Sequence, residues 1–210
     1  MNNEVGLDIK DVLEEIGTSF TYLVRPDSGE LGTQYLDYEM NRQVTKPFIR
    51  EYFLEAMFPY DTDAVGGDVI KFLDGRIFMI MNITDENLFN ESLGKEAVLY
   101  KCNVSGELRR ASGEASWDTT YSYQRSTVWE SIAIPAYGLL SEKLFGTDLE
   151  QDADFGQISL EAQILYLPNS YGAKVLDRYS PKSGEYYKIQ AIRTREFDSV
   201  DVCHVVEDTR

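Results

Sequence analysis

The sequence predicts a mainly β protein: a small antiparallel β-barrel or sandwich built from two hairpin-containing units, with a short N-terminal helix and a long, partly helical insertion. Three observations lead there. Residues 68–72 and 76–83 are apolar, β-prone runs joined by the tight turn Leu73-Asp74-Gly75. The same plan returns late in the chain, where 174–176 leads to the turn Ser180-Pro181-Lys182-Ser183-Gly184 and then to the run 186–192. Helical spacing is clear only at the start, where Ile9, Val12, Leu13 and Ile16 follow the i, i+3, i+4, i+7 pattern.

In chain order, Asp8 caps a helix over 8–16 and Gly17 ends it. Residues 18–24 are β-rich, and Arg25-Pro26-Asp27-Ser28-Gly29 is a turn signal. Residues 30–46 are polar, acidic and tyrosine-bearing, and read as a long loop or hairpin. Residues 48–58 could form a helix opened by Pro47, but their aromatics and the turn at 61–67 favour a strand. A polar connection over 84–95 leads to a strand at 97–104. Residues 106–156 are the least sheet-like part, too long for a simple connection, and read as a lid, a docking arm or a partner-binding insertion. Within them 135–145 reads as a short helix closed by Gly146, with Leu139, Leu140 and Leu144 on one side. Strands at 158–167 and 200–206 complete the chain. The expected divisions are therefore a helix at 1–17, a first β-unit at 18–105 with a loop at 25–46, an insertion or arm at 106–156, and a second β-unit at 157–210.

Placing Gly75 on Gly184 aligns Phe78 with Tyr187, Ile80 with Ile189 and Ile83 with Ile192, and brings Cys102 near Cys203. Two related β-units follow from that alignment, although period-2 patterning makes any two hairpins look alike.

Composition narrows the chemistry. The chain has 210 residues, 36 acidic against 20 basic, for a formal charge of −16. Such a chain gains nothing from neutralising phosphates, which argues against unaided nucleic-acid binding. No apolar run is long enough for a spanning helix, and the acidic first twenty residues are unlike a secretory leader, so a cytosolic site of synthesis is expected. The sequons at Asn82, Asn90 and Asn103 then read as chance matches. Two cysteines and one histidine, His204, cannot make a four-ligand zinc site of Cys and His. Cys203 and His204 are strand neighbours pointing to opposite faces, a poor nucleophile–base pair, so a packed or interfacial thiol is expected.

No phosphate loop, dinucleotide fingerprint or nucleophile elbow occurs. Asp61-Thr62-Asp63 with Gly66 imitates the opening of a calcium loop, but the twelfth position is Phe72; counted from Asp148 it is Ser159, and neither supplies the bidentate Glu. No pair of carboxylates stands out for glycoside hydrolysis. Neither an enzyme nor a cofactor or metal is expected. What remains is an interaction surface: Trp117, Tyr121, Tyr123 and Trp129 have the residue types of interface anchors, and Arg109 and Arg110 suit an acidic neighbouring subunit. The same aromatics would also stack sugars.

Two segments carry a family resemblance. Gly67-Asp68-Val69-Ile70-Lys71-Phe72-Leu73-Asp74-Gly75-Arg76-Ile77-Phe78-Met79-Ile80-Met81-Asn82, and Tyr187-Lys188-Ile189-Gln190-Ala191-Ile192-Arg193-Thr194 leading through Phe197 to Val200-Asp201-Val202-Cys203, resemble the neck proteins of tailed bacteriophages, the head-completion, stopper and head–tail connector group. The "Gly-Asp-x-Ile, hairpin, x-Phe-x-Ile" pattern recurs in small barrels of that group. The resemblance covers about half the chain, and 106–156 has no counterpart in it. It implies a structural virion protein, assembled in the host cytoplasm. Copies would form a sixfold or twelvefold ring between portal or adaptor and tail proteins, sealing the head around a channel through which DNA passes without specific binding. It implies loops 25–46, 84–95 and 106–156 as intersubunit clasps, and a C-terminal strand free to extend a neighbour's sheet. A tail-terminator or tail-tube protein is the neighbouring alternative, and a carbohydrate-binding β-protein the alternative from another class.

Overall fold

Alternating apolar and polar residues, interrupted by turn signals, leave this chain few routes to burial other than sheets. The structure, a computed structural model, describes residues 4–25, 34–40, 52–88, 91–112, 117–118, 123–124, 128–141 and 163–208. It divides into two compact units. The first holds 1–103 together with 168–170 and 194–200; the second holds 104–167, 171–193 and 201–210.

In the first unit helix α1 (Glu4–Ile16) precedes β1 (Thr18–Val24), β2 (Gln34–Met40), β3 (Phe53–Pro59), β4 (Val69–Phe72), β5 (Ile77–Leu88) and β6 (Glu91–Lys101). These strands close into an antiparallel barrel in the order β1-β2-β3-β6-β5-β4. Phe20, Leu36, Leu54, Phe58, Ile70, Phe72, Phe78, Ile80 and Leu99 fill it, with Phe20 and Phe58 edge to face at 5.5 Å. Helix α1 stops where the Gly17 amide bonds the Leu13 carbonyl at 2.9 Å; a Cβ on Gly17 would lie 2.4 Å from that oxygen. The helix turns Gly6 and Leu13 inward and half-buries Ile9, while Val12 and Ile16 stay exposed. The apolar stripe expected from the sequence is thus only partly used by the fold.

The second unit contains β7 (Val104–Ser112), the two-residue strands β8 (Trp117–Asp118) and β9 (Tyr123–Gln124), β10 (Val128–Ser141), β11 (Gln163–Pro168), a single 3-10 turn at Asn169–Tyr171, β12 (Arg178–Lys182), β13 (Glu185–Arg193) and β14 (Val200–Glu207). Its barrel closes in the order β7-β10-β11-β14-β13-β12, with β8 and β9 paired apart. Leu108, Leu165, Leu167, Tyr179, Ile189, Cys203 and Val205 form its core, and the buried Tyr179 hydroxyl donates to the Ala136 carbonyl at 2.9 Å.

Numbered within itself, each barrel therefore runs 1-2-3-6-5-4. Where the sequence predicted one small barrel or sandwich assembled from two hairpin units, the structure forms two closed six-stranded barrels of one strand order. Three expectations are corrected. First, the stretch 106–156 is not a partly helical insertion among the described residues: it supplies β7 and β10, the first two strands of the second barrel. Over 135–141, where a helix was expected, the chain continues as β10, paired with β7 and β11; 142–146 lie outside the described residues. Second, 84–95 is not simply a polar connection: β5 runs to Leu88 and β6 starts at Glu91, with Asp85 opposite Lys95 and Leu88 opposite Glu91, while 89–90 lie outside the described residues. Third, Cys102 is not the counterpart of Cys203. Ile83 faces Ala97 in the first barrel and Ile192 faces Cys203 in the second, so Ala97 holds the equivalent place.

Candidate assembly surfaces

The hairpin motif is built the same way twice. In the first barrel the Asp68 carboxylate accepts the Val65 amide at 3.0 Å. The Gly67 amide donates to the Ile80 carbonyl at 2.8 Å, and the Ile80 amide returns to the Asp68 carbonyl at 2.9 Å. In the second barrel Asp177 accepts the Lys174 amide at 2.8 Å. The Leu176 amide donates to the Ile189 carbonyl and the Ile189 amide to the Asp177 carbonyl, both at 2.9 Å. Gly75 and Gly184, at the hairpin tips, both have φ near +89°, which glycine adopts without steric cost. Even the flanking arginines correspond: Arg25 donates to the Asp63 carbonyl at 2.6 Å, and Arg110 to the Gly172 carbonyl at 2.7 Å. A buried Asp that ties off its own turn makes each hairpin base rigid.

Arg109 and Arg110, expected at a subunit boundary, engage groups of their own chain. Arg110 forms a two-pronged bond with the buried Asp177, Nε to Oδ1 at 2.9 Å and Nη2 to Oδ2 at 2.8 Å. Arg109 bonds Glu107, holding that carboxyl below the usual range. Sequence reading missed Asp177, whose only signal was its alignment with Asp68.

Of the four aromatic candidates, Trp117 and Tyr123 lie on the β8–β9 pair and Trp129 on β10. The register of β7 with β10 runs from Val104 opposite Gly138 to Ser112 opposite Val128, with shifts near Ala133. The separate β8–β9 pair sets Trp117 opposite Gln124 and Asp118 opposite Tyr123. Trp129, opposite Ala111, lies near the far end of the β7–β10 pairing. Tyr121 lies outside the described residues. The Arg178 guanidinium covers the Trp129 ring at 4.1 Å and bonds Asp208 at 2.7 Å, so one face of that indole is occupied.

On the outer face of the first barrel, β2, β3, β5 and β6 form a groove of about 470 Å³. Asp37, Glu39, Glu55 and Glu96 line it, all exposed, over Met57 and Val98. Glu39 stands directly opposite Glu55 across the ladder, an arrangement that weakens strand pairing. The acid is therefore concentrated on adjacent strands here.

Burial pushes the Cys102 and Cys203 thiols up to about 12, with Asp201 and Asp177 adding to the effect at Cys203. Cys203 is buried and Cys102 partly so, and a raised pKa leaves little of the thiolate form at neutral pH. β14 has two neighbours in a closed barrel, so it is not available to extend a neighbour's sheet. Among the described residues no three His, Cys, Asp or Glu side chains gather to hold a metal, and no helix is long and apolar enough to cross a membrane. No family model matches the chain, and no curated protein and no solved structure was found to match it.

Proposed function

We propose that the protein is a structural component of the neck of a tailed bacteriophage, a ring-forming subunit that joins and seals head to tail around the DNA channel. The observation that carries this reading is the hairpin motif on which the resemblance rests, present in two rigid copies, each at the same place in a closed six-stranded barrel. A barrel without open edges associates through faces and arms, which suits a thin ring built of loops and ribbons. The ribbon of β7 and β10 is the arm with which a subunit reaches its neighbour. The acidic groove gives the net charge a specific use: a wall of Asp37, Glu39, Glu55 and Glu96 repels phosphates, so passing DNA does not adhere.

Antibody labelling of virions, followed by electron microscopy, tests the proposal. Label at the head–tail junction is expected, and virions without label would overturn it. Label along or at the end of the tail would favour the tail-terminator or tail-tube alternative. Sugar binding is less favoured, because Trp129 already stacks on Arg178.

A further inference from the structure

Helix α1 meets the first unit along one edge and leaves another uncovered. Gly6 and Leu13 are buried, and the Lys10 ammonium ties the helix down through the Asp61 carboxylate at 2.5 Å. Val5, Val12 and Ile16 are 43%, 51% and 77% exposed, and Ile9 beside them is half-buried. These four residues follow one another at steps of four, three and four, so they form one stripe along the whole helix. That is the spacing of a heptad seam, with Ile9 and Ile16 at one seam position and Val5 and Val12 at the other. All four are β-branched, a weaker choice for a helix than Leu or Ala, and none belongs to the barrel core. The two flanks of the seam differ. One holds Gly6 and Leu13, turned into the protein. The other holds Asp8 and Glu15, both exposed, with Asp11 next to them.

We propose that α1 docks a basic amphipathic helix of another protein, laid along the seam of Val5, Ile9, Val12 and Ile16. The seam supplies the apolar contact, and lysines or arginines beside the partner's own seam meet Asp8 and Glu15. The flanks argue against a second copy of this chain. Two such helices in opposite directions would set Asp8 and Glu15 against the same acids of the other copy. In the same direction, each acidic flank would have to face the flank of Gly6 and Leu13, which is already buried. The acids also disfavour a membrane, whose cytoplasmic surface is itself negative. At 1.5 Å per residue the helix is about 20 Å long. The contact is therefore smaller than the ~1,000 Å² of a stable interface, and is expected to be weak and reversible. Nothing in it depends on the neck reading, since every residue of the seam and its flanks belongs to α1.

The probe is a synthetic heptad-repeat peptide with Leu at both seam positions and Lys at both flanking positions, and its counterpart carries Glu in place of Lys. Fluorescence anisotropy of the labelled peptides, titrated with the full chain, should show binding of the lysine peptide and at least about tenfold weaker binding of the glutamate peptide. Val12→Ser and Ile16→Ser, at exposed positions where the fold tolerates change, should each weaken binding of the lysine peptide, and circular dichroism shows that the variants are folded. Glu15→Lys should weaken it as well. Glu14→Lys makes the same change of net charge on the side of the helix away from the seam, and should leave binding unchanged. Equal losses in the two charge variants would mean attraction to the overall charge of −16, and would overturn the proposal. Equal binding of the two peptides, no binding of either, or unchanged affinity in both serine variants would do the same. Self-association in sedimentation velocity, or binding to phosphatidylcholine vesicles, that Ile16→Ser abolishes would give the seam a different occupant and also overturn it. Virion labelling depends on none of these outcomes, so the docking seam and the neck reading fail separately.

Discussion

Arg110 and Asp177 meet through two parallel hydrogen bonds, 2.9 and 2.8 Å long, between the first strand of the second barrel and the turn at the base of its hairpin. Asp177 is almost wholly buried and Arg110 about two-thirds buried, so the pair is screened far less than a surface ion pair. It works as a clamp, because the same carboxylate also caps the Lys174 amide.

Arg110→Met should therefore leave a buried carboxylate without its cation and cost about 3 kcal/mol, lowering the melting point of the second unit by about 10 °C or more. Both tryptophans, Trp117 and Trp129, belong to that unit, so tryptophan fluorescence follows its unfolding separately. An unchanged fluorescence melt would contradict the clamp.

Asp201 supplies a pH dependence. Burial raises its pKa above the ordinary carboxylate value, so the folded state binds its proton more tightly than the unfolded chain does. Its penalty is absent below the ordinary value near 3.8 and fully present once the pH exceeds the raised folded one. Asp201→Asn should raise the melting temperature at pH 7 and lose that advantage in acid below the ordinary value. Melts of both proteins at the two pH values check the sign.

The thiols should be silent. With both held near 12 by burial, a thiolate-selective reagent at pH 8 should label neither Cys102 nor Cys203 in the native protein and both after denaturation. Fast native labelling, read by mass spectrometry, would show that the packing around them opens.

Shortening the ribbon separates folding from assembly. Replacing 113–127 by Asn-Gly joins Ser112 to Val128, which already face each other, through a two-residue hairpin turn. The second barrel should keep its melting behaviour within about 1 kcal/mol, while incorporation into particles should fall. Particle incorporation at the wild-type level would remove the arm from the assembly mechanism.

The hairpins were legible because turn chemistry is local: Asp74-Gly75 and Ser183-Gly184 announce themselves, and the alternation around Phe78, Ile80, Tyr187 and Ile189 fixes which side faces in. Strand β10 was not, for a physical reason. Its pairing with β7 shifts between Ser131 and Ala133 and again before Ala136, and each shift breaks the period-2 pattern. Ala136, Leu139 and Leu140 then fall at helical spacing, which Pro135 reinforces. The misplacing of Cys102 has another cause. The β5–β6 connection is longer than its β13–β14 counterpart, and only the cross-strand register, Ile83 with Ala97 and Ile192 with Cys203, reveals where the extra residues lie. Candidate assembly residues were found by type, but that Arg110 serves Asp177 and Trp129 serves Arg178 depends on strands distant in sequence.

Ser199 covers the turn at Gly66 and Gly67, so closely that a Cβ on Gly67 would stand 2.6 Å from its carbonyl oxygen, and this cover has an order in time. The chain leaves the ribosome from its N-terminus, and all six strands of the first barrel are delivered before the second begins. Ser199, which closes over that turn, emerges only when synthesis is almost complete. The nascent first barrel therefore spends nearly half of translation with its glycine turn uncapped. A chain ending at Asn103 lacks Ser199 and would leave that turn uncapped.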